Sequence, residues 1–163
     1  MNKRHLIMVL ILVLGVAAGA CNKPFLRAKT SKNVKFDSKE FNATPNDCYY
    51  ALRYAFKING YSMGSENLSD GVLKSTWLPV TADSHYVPLF DSRDYGATGA
   101  YYQLEARVVP RGQNRTKLEI GSRVKGVVSN IQSSYVEEQK ILATVGSYLR
   151  KREPEITNEG IEE

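Results

Sequence analysis

Two neighbouring segments, 101–109 and 116–124, alternate between apolar and charged residues. A period of two places successive side chains on opposite faces of a β-strand. The stretch 110–115 contains Pro and Gly and can turn the chain between them, so the sequence predicts an antiparallel pair with one buried and one solvated face. The expected buried residues are Tyr102, Leu104, Ala106, Val108, Leu118, Ile120 and Val124.

A first helix is predicted from the start signals around Thr44. Thr44 is a good N-cap residue, Pro45 suits the first turn, and Gly60 suits the end of a helix that runs to about Asn59. Helical spacing predicts one buried stripe on it. That stripe comprises Cys48, Ala51, Leu52, Ala55, Phe56 and Ile58.

A second helix is predicted over 135–152, where Ser134 and Glu137 have the spacing of a capping box. Three basic residues, 150–152, come at its end, where the helix dipole favours cations. Its predicted apolar stripe comprises Ile141, Leu142, Val145 and Leu149.

Between the helices, segments 61–67 and 72–78 flank an Asp-Gly pair, which predicts a β-hairpin. Leu73 and Trp77 are four residues apart and are expected to share one strand face. A weaker strand is expected within 34–41. The element order predicts an α+β fold: an antiparallel sheet of about four to six strands with two amphipathic helices packed on one face, a helix-grip-like arrangement.

Residues 1–20 form a basic start, a short apolar run and a small-residue end, which predicts a secretory signal peptide. The next residue is Cys21, and the run Ala18-Gly19-Ala20-Cys21 resembles the lipobox of bacterial lipoproteins, with Ala18 in place of the usual Leu. This predicts lipid attachment at Cys21 and membrane anchoring through acyl chains such as palmitate. The alternative is ordinary signal cleavage with a disulfide between Cys21 and Cys48; with Cys21 acylated, Cys48 would be a buried core residue.

The rest of the chain divides by charge. Residues 21–33 are basic and are expected to be a flexible tether, 34–152 a single folded domain, and 153–163 a disordered acidic tail. Loss of the signal peptide would lower the formal charge from +5 to +3. That modest value and the secretory route argue against nucleic acid as a partner.

One segment matches a catalytic motif, because Gly60-Tyr61-Ser62-Met63-Gly64 fits the G-x-S-x-G nucleophile elbow. Asp70 or Asp83, followed by His85, would complete the hydrolase order. The elbow requires a strand before the Ser and a helix after it, whereas the sequence predicts the reverse. We therefore expect no enzyme here, with Gly60 capping the helix and Gly64 forming a strand bulge.

Other chemistry finds little support in the sequence. One His outside the signal, one unmodified Cys and scattered carboxylates do not indicate a zinc site, and His85 is expected to be solvated in a loop. Phosphate-binding and dinucleotide fingerprints do not occur, so we expect no cofactor. The irregular segment 81–100 carries Tyr86, Phe90 and Tyr95, which would suit an interaction loop. Equally, 86–90 could be one more strand at the sheet edge.

Four short motifs resemble the N-terminal globular domain of the BamC (NlpB) family, lipoproteins of the outer-membrane β-barrel assembly machinery. They cover about 45–149 and are Ala51-Leu52 with Ile58-Asn59-Gly60-Tyr61; Asp70-Gly71-Val72-Leu73-Lys74-Ser75-Thr76-Trp77; Gly99-Ala100-Tyr101-Tyr102-Gln103-Leu104 with Val109-Pro110-Arg111-Gly112; and the C-terminal amphipathic helix. The resemblance implies a helix-grip-like domain. The family also has a long extended N-terminal region and a second similar domain, whereas this chain has a short tether and one domain, so domain shape transfers more safely than complex membership.

Together these observations predict a non-enzymatic outer-membrane lipoprotein whose domain faces the periplasm and binds another envelope protein, in a role accessory to β-barrel assembly. Asn22 after the cysteine, rather than Asp, favours retention in the outer membrane. The alternatives are a helix-grip module that binds a lipid or glycan and an accessory lipoprotein of LPS transport.

Overall fold

A computed structural model describes residues 28–31, 33–88, 99–128 and 130–157. Within these ranges the chain forms nine strands and two helices. They are β1 (Lys29–Thr30), β2 (Phe36–Phe41), α1 (Pro45–Ile58), β3 (Met63–Asn67), β4 (Val72–Ser75), β5 (Leu78–Pro79), β6 (His85–Tyr86), β7 (Tyr101–Gly112), β8 (Arg115–Gly126), β9 (Gln132–Ser133) and α2 (Val136–Thr157).

The hairpin of β7 and β8 is the centre of the sheet. Its antiparallel register runs from Tyr101 opposite Lys125 to Gly112 opposite Arg115, so both strands are longer than the alternation predicted. All seven predicted inward residues are buried, which confirms the predicted faces. The predicted turn at 110–115 shortens to residues 113–114, because Pro110 and Gly112 still pair across a local irregularity.

The main sheet has the order β1-β8-β7-β4-β3, with β2 also paired to β8 and β5 also paired to β7. Because β1 and β2 share one side of β8, and β4 and β5 share one side of β7, the described sheet is five strands wide. The strands β6 and β9 form a separate antiparallel pair. The two helices contact each other and the same sheet, so the helix-grip-like α+β prediction is confirmed.

Helix α1 begins as its sequence predicts. The Thr44 side chain accepts a hydrogen bond from the Asp47 backbone N–H at 3.2 Å, and Pro45 lies in the first turn. Gly60 follows the helix with a φ of +82°, a conformation that L side chains rarely adopt. The predicted apolar stripe of α1 is buried in the core, with one exception: Ile58 is 61% exposed and does not belong to the core.

Helix α2 does not have the predicted capping box. The Ser134 hydroxyl donates to the backbone carbonyls of Asp83 and Ser84, while the Glu137 carboxylate accepts from Tyr61. Both partners of the box are therefore engaged by distant segments. The helix begins at Val136 and continues to Thr157, past the predicted end at 152 and into the segment expected to be tail. Its predicted stripe is buried at Ile141, Leu142 and Val145, with Leu149 packed partly buried against the core.

The structure bears on three further expectations, at Trp77, within the predicted tether and at Cys48. Trp77 is 39% exposed and does not share the buried face of Leu73, because the pairing with β7 shifts by one residue between β4 and β5. Lys29 and Thr30, expected in the tether, pair with Gly126 and Lys125 of β8. Cys48 is fully buried, as the helical stripe predicted, and is a free thiol. Cys21 lies outside the described residues.

Among the described residues, no helix has both the length and the apolar character needed to cross a bilayer.

Candidate functional site

The hydrolase-like motif has structural roles. Ser62 lies between α1 and β3, so a helix precedes it and a strand follows, as the sequence predicted. Gly64 lies at a register shift of β3, and a Cβ there would come within 2.5 Å of the Ser75 carbonyl oxygen. Both glycines of the motif are thus explained by backbone geometry.

His85 corrects a sequence-based expectation, because it is 1% exposed rather than solvated. Its Nε2 lies 2.6 Å from Ser122 Oγ and its Nδ1 lies 3.0 Å from Ser84 Oγ. Its ring packs on Tyr102 with centroids 4.7 Å apart. Burial lowers the pKa of His85 to about 4, so the imidazole is neutral at neutral pH. Both ring nitrogens therefore contact hydroxyls other than that of Ser62.

A second polar group lies beside this one, at the start of α2. The Tyr61 hydroxyl donates to Glu137 Oε2 at 2.5 Å and lies 3.4 Å from the Tyr102 hydroxyl. Burial, with the Glu137 contact second, raises the pKa of Tyr61. Glu138 is 1% exposed, its Oε1 accepts from the Ser133 hydroxyl at 2.8 Å, and burial raises its pKa.

We name Tyr61, His85, Tyr102, Ser122, Glu137 and Glu138 the polar cluster. Shifted pKa values often mark functional sites. Here, however, five of the six side chains are buried, and their bonds join the strands to the start of α2. The arrangement fixes α2 and the β6–β9 pair on the sheet. In the part of the chain that the structure describes, no group of three or more His, Cys, Asp or Glu could hold a metal ion.

The charged face of the sheet is organised around Glu105, which is 3% exposed. Its carboxylate lies 2.6 Å from Arg107, 2.9 Å from Arg123 and 3.6 Å from Lys74. Burial alone would raise the pKa of Glu105, but these cations outweigh it and lower the pKa. The Glu105–Arg123 contact pairs opposite charges across strands β7 and β8.

The most exposed apolar surface of the helices follows one side of α1. Tyr50, Tyr54 and Ile58 are spaced by four residues and are 52%, 44% and 61% exposed. Tyr148 of α2 extends the surface, since its ring lies 4.7 Å from that of Tyr54. We name these four residues the helix-face patch. The patch is absent from the sequence-based predictions, although its spacing of four is visible in the sequence, because Ile58 was expected to lie in the core.

The predicted interaction loop is described only in part. Tyr86 lies in β6, half-buried, and its hydroxyl donates to Gln132 Oε1 at 3.4 Å. The two-residue strand His85–Tyr86 partly supports the alternative that this segment is a strand. Phe90 and Tyr95 lie outside the described residues.

Fold and surface together define a small helix-grip-like α+β module with an exposed aromatic face. No known protein-family model matches the sequence, and no curated protein sequence matches it. Solved structures of norcoclaurine synthase from Thalictrum flavum are similar at a low level. The complex with dopamine and hydroxybenzaldehyde has 11% identity and a TM-score of 0.40, covering 76% of this chain and 88% of that chain. A point mutant with a transition-state analogue has 11% identity and a TM-score of 0.42, covering 78% and 99%. Likeness at this level carries nothing about activity.

Proposed function

We propose that this chain is a lipid-anchored outer-membrane lipoprotein whose periplasmic domain binds another envelope protein without catalysing a reaction. The helix-face patch carries the proposal, because Tyr50, Tyr54 and Ile58 present apolar surface on a rigid helix rather than on a loop. The Cys21 lipobox resemblance supports the anchor. The BamC-like motifs support a partner in the β-barrel assembly machinery.

Tyrosine suits such a contact for physical reasons. It offers a large ring with few rotatable bonds, so little conformational entropy is lost on binding, and its hydroxyl can stay hydrated at the rim. The contact between Tyr54 and Tyr148 already holds these rings together before any partner arrives. A preorganised aromatic patch is the kind of surface in which binding energy concentrates.

Site-specific photocrosslinking in cells tests this proposal. A photoreactive phenylalanine at Tyr54 or Ile58 should crosslink the full acylated chain to a component of the barrel-assembly machinery. The matched control is Leu68, which is 56% exposed in the turn between β3 and β4 and lies outside the patch. Equal yields of the same product from Leu68 and Ile58, or no envelope protein from either patch position, would contradict the proposal.

A surface cavity of about 520 Å³ favours a second candidate, the binding of an anionic lipid or glycan. This volume lies within the usual range for small-molecule sites. Arg53 and Lys57 contribute cations, and the other lining residues are Gly60, Tyr61, Ser62 and Met63. Native mass spectrometry of gently extracted protein should show a bound mass that a Lys57→Ala variant loses; unliganded protein in every preparation would exclude this candidate.

A further inference from the structure

We infer that one end of the sheet lies on the anionic headgroup surface of the membrane that holds the anchor. This membrane-contact surface consists of Trp77, Tyr101, Lys125, Val127 and Val128. The inference deepens the proposed function and rests on it, since it requires the lipid anchor at Cys21. It adds the orientation of the domain and a second, non-covalent contact with lipid.

The strand register brings part of this surface into one row. Lys125 of β8 lies opposite Tyr101 of β7 and opposite Thr30 of β1, and Tyr101 lies opposite Pro79 of β5. Residues directly opposite in a sheet share a face. Because the neighbouring Tyr102 and Val124 are buried in the core, Tyr101 and Lys125 project from the other face of the sheet.

The exposed side chains have the chemistry of a membrane interface. Trp77 is 39% and Tyr101 51% exposed, and both residue types favour the boundary between headgroups and acyl chains. Val127 and Val128, directly after β8, are 48% and 47% exposed. They line a groove of about 440 Å³ whose described lining includes Lys29 and contains no acidic residue. Basic residues near an anionic lipid surface each contribute roughly 1 kcal/mol of attraction.

The anchor restricts which part of the domain can touch the membrane. Cys21 and Lys29 are eight residues apart, a span of at most about 28 Å. Lys29 itself pairs with Gly126, immediately before Val127. The acyl chains therefore tether the domain by the same end of the sheet that exposes these valines. The helices pack on the face of the sheet opposite to Tyr101 and Lys125. In this orientation the helix-face patch is directed away from the bilayer and is open to a partner.

Trp77 is the only tryptophan in the chain, so its fluorescence reports this surface alone. The acylated chain would be reconstituted into vesicles of phosphatidylethanolamine and phosphatidylglycerol, with or without bromine on the acyl chains. We expect bromine to lower the emission about twofold, because an interfacial aromatic lies beside the upper acyl chains. A Val127→Asp, Val128→Asp double variant should lose this quenching, whereas Leu68→Asp, an exposed control, should retain it. Circular dichroism of each variant verifies folding.

Flotation of the same vesicles separates the possible failures. A chain that does not float refutes the lipid anchor and this inference with it. A chain that floats while Trp77 stays unquenched refutes this inference alone and leaves the partner proposal standing. Trp77 that is unquenched in vesicles but becomes shielded from acrylamide when the crosslinked partner is added would show that a protein covers this surface, which also overturns the inference.

Discussion

Acidification should lower the unfolding free energy of the domain, because His85 is buried in its neutral form. The pKa of His85 is about 4 in the fold against 6.5 for an unperturbed imidazole. Between these values the unfolded chain binds a proton that the folded chain does not, so stability is lost as pH falls from 6.5 towards 4. Taking His85 alone, the loss between pH 7 and pH 5 is about 2 kcal/mol, and it reaches about 3 kcal/mol below pH 4.

The assay is urea unfolding of the mature chain at pH 7, 6 and 5, followed by tryptophan emission. The control is His85→Gln, which can still hydrogen-bond to Ser122 but cannot titrate. Carboxylates contribute equally to both proteins, so the difference between their unfolding free energies isolates the histidine. Wild type should be the more stable at pH 7, and its advantage should shrink by about 2 kcal/mol at pH 5. An advantage that does not change with pH would refute the argument from burial.

Further substitutions test the core, with a surface control, the charged face and a turn. Leu104→Ala, at a fully buried site, should lower the unfolding free energy by about 2–5 kcal/mol, whereas Tyr50→Ala should cost less than about 1 kcal/mol; urea titration compares them. Glu105→Gln should cost about 1–2 kcal/mol, discounted because its cations are partly exposed, and high salt should reduce the difference from wild type. Gly71→Ala should lower the free energy of unfolding by about 1–2 kcal/mol, because the φ of Gly71 is +63° and a Cβ would lie 2.9 Å from a backbone carbonyl oxygen. A lower melting temperature would show this loss.

Local patterns were sufficient to predict much of this fold. The alternation in β7 and β8 and the start signals at Thr44 depend on neighbours in the sequence, and both are confirmed. The Asp70-Gly71 pair likewise lies in the turn between β3 and β4. These predictions are correct because the residues that carry each pattern also stabilise the local backbone conformation that the fold requires.

The incorrect expectations share a dependence on distant segments. His85 is buried because β6 pairs with β9, nearly fifty residues further along the chain. Ile58 lies at the edge of a helical stripe, and periodicity does not show how far a second helix covers such an edge. Trp77 lies between β4 and β5, whose pairings with β7 are out of step by one residue: Lys74 lies opposite Glu105, but Leu78 lies opposite Tyr102. This shift places Leu78 against the core and leaves its neighbour Trp77 on the outer face. The helix-face patch was not predicted for the same reason, because Ile58 was expected to be buried.

The buried thiol of Cys48 can report how often the core of the molecule opens. Burial raises its pKa, so the reactive thiolate is scarce, and its side chain is inaccessible while the core is closed. A thiol reagent can therefore modify Cys48 only during an opening event. In a chain acylated at Cys21 no other thiol competes, so the rate of alkylation in intact cells reads out how often the core opens. In the periplasmic location proposed for the chain, this burial would keep the Cys48 thiol from forming disulfides with other proteins.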